Sequence, residues 1–121
     1  MPKTDVLLYQ EDDGRCPLSD WLDGLPPKAQ DKCIVRIELL ADKGHELRRP
    51  FADYLRDKIY ELRAALNRIQ FRMLYFFYKN QCIIVSGLTK EGNEVPPKEI
   101  DLAILRKEKF ESNPMKHTVR G

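Results

Sequence analysis

Apolar residues follow two different rhythms along this 121-residue chain. Between Lys58 and Lys90 three runs rich in aromatic and β-branched residues follow one another with short polar breaks. They read Lys-Ile-Tyr-Glu-Leu-Arg, Arg-Ile-Gln-Phe-Arg-Met-Leu-Tyr-Phe-Phe-Tyr and Cys-Ile-Ile-Val-Ser-Gly-Leu-Thr-Lys. This pattern predicts three neighbouring strands. In the run from Arg68 to Tyr78 the odd positions Ile69, Phe71, Met73, Tyr75 and Phe77 form a continuous apolar face. The even positions begin with Arg68, Gln70 and Arg72 and turn apolar only at Leu74 and Phe76. One face is therefore core throughout, whereas the other is cationic at its start and covered further along, as in a central strand with helices over part of one face. Lys79-Asn80 is a hairpin turn into Cys82–Leu88, whose unbroken apolar character is that of a buried strand.

The second rhythm is helical. From Pro26 to Lys43, residues Cys33, Ile34, Ile37, Leu40 and Ala41 make one apolar stripe, with Lys32, Arg36 and Lys43 off it. Pro26 and Pro27 suit the entry to this helix and Gly44 suits its C′ position. Before it, Thr4–Tyr9 is a short strand candidate ending in an acidic turn, and Pro17–Leu22 is a short helix broken at Gly24 and anchored by Trp21 and Leu22. Residues 45–57 read as a connector fixed by Pro50. After a turn-rich loop from Glu91 to Pro97, a helix runs from Pro97 to about Glu111 with Ile100, Ala103 and Ile104 on its apolar stripe. Residues 1–111 are expected to form one domain and 112–121 a flexible tail.

Composition changes this picture little. A 42% hydrophobic and 33% charged chain is that of a globular protein. No run is long enough to span a membrane and the N-terminus lacks signal-peptide features, so a cytoplasmic location with no membrane partner is expected. Charge changes it more. Residues 1–24 carry two basic and six acidic side chains, whereas residues 48–79 carry eight basic and three acidic, although the whole chain is only +2. A positive field concentrated on strands is either a solvated face or a site for a phosphate-bearing partner such as a nucleic acid.

Cys16, Cys33 and Cys82 are odd in number and form no Cys-x-x-Cys pair, and His45 and His117 are far apart, so neither a disulfide framework nor a zinc site is indicated. Cys33 and Cys82 read as buried thiols. No Gly-rich phosphate loop, nucleophile elbow or metalloprotease motif is present, and no cofactor is expected. Glu61, two positions before Arg63 on one strand face, reads first as an ion-pair partner and second as a general base. What remains is a set of cations. Guanidinium and ammonium groups can align a 2′-hydroxyl and stabilise the charge developing on a phosphate without a metal.

Trp21-Leu22 followed by an amphipathic helix, then Tyr60-Glu61-Leu62-Arg63, Phe71-Arg72-Met73-Leu74-Tyr75-Phe76, Gly87-Leu88-Thr89-Lys90 and Pro96-Pro97-Lys98-Glu99-Ile100 occur in an order that resembles the phage-related, HigB-like branch of the RelE/ParE toxin superfamily. The resemblance extends from about Val6 to Phe110. It implies a RelE-like α+β fold with two N-terminal helices packed on a mostly antiparallel sheet of about four strands, and a C-terminal helix. It also implies the toxin of a type II toxin-antitoxin system: a metal-independent, ribosome-dependent mRNA endoribonuclease. Such a protein arrests translation and is held inactive by a cognate antitoxin, often of helix-turn-helix type. Its partners would be mRNA and the ribosome, and a homodimer of the free toxin is compatible with the resemblance.

Carried over by motif, Arg72 matches the strand arginine that stabilises the scissile phosphate. Lys90 matches a basic position at the end of the next strand, and Arg63 matches the recurrent Glu-Leu-Arg arginine. These three are the expected catalytic residues, with Arg56, Lys58 and Arg68 expected to bind RNA. Two features depart from the family pattern: Glu91 stands where a second basic residue is common, and no residue matches the C-terminal histidine or tyrosine that assists proton transfer. The alternatives are a ParE-like DNA gyrase inhibitor and a catalytically degenerate member that binds only antitoxin or RNA.

Overall fold

The computed structural model describes residues 3–90 and 94–119. Its elements are β1 (Asp5–Leu8), α1 (Pro17–Asp23), α2 (Pro27–Lys43), β2 (Ala52–Arg56), β3 (Ile59–Leu66), β4 (Ile69–Tyr78), β5 (Gln81–Lys90) and α3 (Pro97–Ser112). The strands form one sheet in the order β1-β5-β4-β3-β2; β1 runs parallel to β5 and the other pairs are antiparallel. The fold is thus the expected α+β arrangement, with five strands rather than about four. The added strand, β2, lies inside the segment read as a connector. Its residues alternate Ala52 and Tyr54 with Asp53 and Leu55, mixing polar and apolar side chains on both faces, so period two was hidden.

Parity in β4 has the predicted consequence. Phe71, Met73 and Tyr75 join a core with Leu18, Cys33 and Leu40 of α1 and α2. Leu74 and Phe76 join a second core on the opposite face with Ile100, Ala103 and Phe110 of α3. α3 therefore covers one half of its face and leaves the half bearing Gln70 and Arg72 to polar side chains. Ile69 departs from the expected core face: at the strand end it is 42% exposed.

Within α2 the core stripe is Ala29, Cys33 and Leu40, whereas Ile34 is 44% exposed. Gly44 closes the helix with φ of 51°, its N–H donating to Leu40 O, as its sequence position implied. Burial pushes the Cys33 thiol up to about 11 and the Cys82 thiol up to about 12, as inert core cysteines require.

Two of the three hairpins share one turn geometry. Asp57-Lys58 and Asn67-Arg68 each have positive φ at both residues, the geometry that matches the twist of the strands they join. Lys58 and Arg68 thus belong to turns, not to the strands the sequence suggested.

The segment after α3, expected to be a flexible tail, packs along β1 instead. Val119 N–H donates to Leu8 O, Gln10 N–H donates to His117 O, and the His117 ring stacks on Tyr9 at 5.3 Å. The expected loop from Glu91 falls partly outside the described residues, as does the end of the tail. Among the described residues, no helix is long and apolar enough to cross a membrane.

Candidate phosphate-binding site

The uncovered half of the α3 face is built from register. Arg63 pairs with Arg72, Glu61 with Leu74, Ala65 with Gln70, Gln70 with Lys90 and Asp53 with Glu61. Pairs directly opposite share a face, so four strands bring Asp53, Glu61, Arg63, Gln70, Arg72 and Lys90 together. All three residues expected to be catalytic lie in this group.

Glu61 is its centre. Its side chain is almost fully buried, and Oε1 accepts from Arg63 Nε at 2.8 Å. The same oxygen lies 3.2 Å from Arg72 Nε, close enough for an ion pair but off line for a hydrogen bond. The ion-pair reading of Glu61 thus describes its contacts, with two guanidiniums in place of one. Arg72 Nη1 donates to Gln70 Oε1 at 3.0 Å and to Phe71 O at 3.2 Å. Arg63 Nη2 reaches Asp53 Oδ2 at 3.4 Å, and that carboxylate also pairs with Arg49 Nη2 at 2.8 Å.

Burial governs the electrostatics. It lowers the Arg72 pKa, with Glu61 opposing the shift and Arg63 adding to it. A guanidinium stays charged regardless. Burial likewise lowers the Lys90 pKa, assisted by Arg72 and opposed by Glu61 and Glu94. Lys90 Nζ is buried and, like Arg72 Nε, has no hydrogen-bond partner among the described residues. Asp53 moves the other way: the hydrogen bond from Arg49 holds its carboxyl below the usual range.

Two concavities flank Arg63. One, of about 340 Å³, is lined by Glu61, Asp53, Arg49 and Glu94; the other, of about 250 Å³, by Arg36, Phe51, Gln70 and Arg72. The second, lined by the guanidiniums of Arg36, Arg63 and Arg72 with no carboxylate among the described residues, is the one suited to receive an anionic oxygen; three carboxylates line the first.

The expected RNA-binding residues are not brought together. Arg68, exposed in the β3–β4 turn, is at the Arg72 end of the sheet. Arg56 and Lys58 are at the other end of β3, roughly 25 Å away at the usual strand rise. There Arg56 is held by Asp57 at 3.1 Å and by Asp101 at 2.6 Å. His117 is remote from the cations, its Nδ1 2.8 Å from Gln10 O beside β1. Sequence reasoning missed Asp53, whose segment gave no strand signal. Gln70 carried one: it shares the polar parity of Arg72.

No curated protein matches the chain. A family model does: that of the phage derived protein Gp49-like family (DUF891) matches residues 20–108, a span that contains all six residues of the cluster and excludes β1 and the tail. The chain therefore belongs to the phage-derived Gp49-like family, a family of RelE/HigB-like toxin type associated with toxin-antitoxin systems and hence with an antitoxin partner.

Proposed function

We propose that this chain is a RelE/ParE-superfamily toxin that cleaves mRNA, in a metal-independent and ribosome-dependent way, and so arrests translation. The observation that carries the reading is the buried Lys90 Nζ, which lacks a hydrogen-bond partner among the described residues, beside the buried guanidinium of Arg72. A buried unpartnered donor is costly, and a phosphate oxygen would satisfy it.

Cleavage by the adjacent 2′-hydroxyl requires the attacking oxygen to be aligned and the charge on the phosphate stabilised. Arg72 is assigned the stabilising role, with Lys90 beside it. Arg63, more exposed and hydrogen-bonded to Glu61, orients the phosphate from the concave side. Glu61 is a positioning residue, since its carboxylate holds two guanidiniums. Arg68 binds the RNA backbone at the same end. Lys58, exposed, would contact RNA only well beyond this site, and the carboxylates around Arg56 argue against an RNA role there.

A second reading, a member that binds antitoxin or RNA without cutting, is favoured by the engagement of Arg72. It is only 5% exposed and already contacts Glu61 and Gln70.

Induced expression in a bacterial host, with mapping of transcript 5′ ends, decides between them. The ribonuclease reading expects new ends within coding regions and a fall of about 10²–10³-fold in their yield for Arg72→Ala. Intact transcripts despite growth arrest would overturn it and point to another target such as gyrase; absence of arrest would point to the non-cutting binder.

A further inference from the structure

Tyr54, Tyr60 and Tyr75 are register partners across β2, β3 and β4, so their rings form a ladder on the α2 side of the sheet. Tyr60 stacks on Tyr75 at 5.5 Å between centroids, and Tyr54 meets Tyr60 edge-on at 5.1 Å. Cross-strand aromatic pairs stabilise a sheet, which accounts for the inner rings. Tyr54 is different. β2 is the edge strand, nothing follows Tyr54 in the sheet, and it is 51% exposed.

A groove of about 600 Å³ opens beside Tyr54, lined also by Tyr60, His45, Arg48, Arg49 and Asp53. Arg48 is fixed there by donating to the carbonyl oxygens of His45 and Leu47, contacts that leave its charge unneutralised. Asp53, in the groove wall, is the residue whose carboxylate also lies 3.4 Å from Arg63. The groove and the cation cluster are therefore joined through one side chain across the β2 edge.

We propose that this groove takes a nucleobase of single-stranded RNA, stacked on Tyr54, while the same strand rounds the β2 edge and places a phosphate further along it at Arg63 and Arg72. The identity of the polymer rests on the ribonuclease reading above. An exposed aromatic face flanked by the guanidinium of Arg48 is the combination that recognises single-stranded nucleic acid, because every base presents a π-face and every nucleotide a phosphate. A docked peptide side chain would call for aliphatic walls, and the aliphatic lining here, Leu47 and Ala52, is buried.

The test compares Tyr54→Ala with Tyr54→Phe in cells, by mapping cut transcripts. The phenylalanine variant keeps the ring and loses only the hydroxyl that accepts from Lys58 N–H at 3.1 Å. Wild type and Tyr54→Phe are expected to cut in comparable yield. Tyr54→Ala is expected to cut on the order of ten- to a hundredfold less, with its melting temperature little changed. A Tyr54→Ala variant that cuts with wild-type yield would overturn the base site and leave the ribonuclease reading standing.

Should wild type cut nothing, the ribonuclease reading falls by itself, and the groove is judged by NMR titration with a 2′-O-methylated RNA pentanucleotide. Saturable shifts of the Tyr54 and Tyr60 ring signals, weakened by Arg48→Ala, would support the base site. Rings unmoved at millimolar RNA would overturn it.

Discussion

Arg63 and Arg72 stand directly opposite one another across β3 and β4, and both approach the same oxygen of Glu61. Like charges in facing positions are unfavourable in a sheet, and the buried carboxylate offsets them. Glu61→Gln keeps the side-chain shape and removes that charge, leaving two guanidiniums in a poorly solvated site. The variant is expected to lose about 3–5 kcal/mol of stability in urea unfolding at neutral pH. A loss within experimental error would mean that the carboxylate does not hold the pair.

Lys90 presents the opposite case, a buried ammonium without a hydrogen-bond partner among the described residues. An unsatisfied buried polar group costs about 1–3 kcal/mol. Lys90→Met is therefore expected to raise stability by about 1 kcal/mol while weakening anion binding, the trade-off expected where a site is kept at the expense of the fold. Sulfate added to the wild type should raise Tm by linkage, and the variant should show a smaller rise. Equal rises in both proteins would place the anion elsewhere.

Most of the fold was legible because two signals were clean. Parity in β4 separated the two cores, and the proline and glycine punctuation of α2 fixed its ends. β2 was hidden because Asp53 and Tyr54 answer to a carboxylate–arginine cluster and an aromatic ladder rather than to simple burial. Arg68 kept strand parity with Arg72, yet its positive φ places it in a turn, and one-dimensional spacing carries no sign of φ. At the site, the cations were legible as a basic strand region. The buried state of Arg72 was not, since it depends on Glu61 and Gln70 arriving from register.

Asp53 supplies a pH dependence with a definite sign. The hydrogen bond from Arg49 lowers its folded pKa below the ordinary value of 3.8. A carboxyl depressed on folding contributes stability that is fully present above its unfolded pKa and is lost as pH falls through the folded one. Asp53→Asn is thus expected to be less stable than wild type at pH 7, with the gap narrowing as pH drops below about 4. Paired urea titrations at several pH values check this, and a gap constant down to pH 2 would contradict it. The exposure of Arg49 keeps the effect small, of the order of 1 kcal/mol or less.

Gly87 lies under the Trp21 indole. A Cβ built on it would come within 2.2 Å of Trp21 Cε3, and the indole cannot swing aside freely because Nε1 donates to Thr89 Oγ1 at 3.1 Å. Gly87→Ala should therefore cost about 1–3 kcal/mol through overpacking. Since Trp21 is the chain's one tryptophan, its fluorescence reports the displacement directly: a shifted emission maximum is expected in the folded variant. Unchanged emission and stability would show that α1 sits farther from β5 than described.

The docked tail offers the last test. His117 is 3% exposed, stacks on Tyr9 and hydrogen-bonds with Gln10 O through Nδ1. Tyr9 itself is fully buried, and burial, followed by the nearby Glu11 carboxylate, raises the pKa of its hydroxyl. Removing residues 113–121 would expose that ring and free the outer edge of β1, where Gln10 N–H and the Leu8 carbonyl now bond to the tail. An open strand edge and an uncovered aromatic ring both destabilise and invite self-association. His117→Ala, the milder change, is expected to cost about 1–2 kcal/mol, from one stacking contact and one hydrogen bond. The truncation should cost more and should increase aggregation, measured by light scattering on warming. Because this cluster is remote from Arg72, transcript cutting by His117→Ala below its melting temperature should match that of wild type. A large drop in cutting with the fold intact would instead tie the tail to the site.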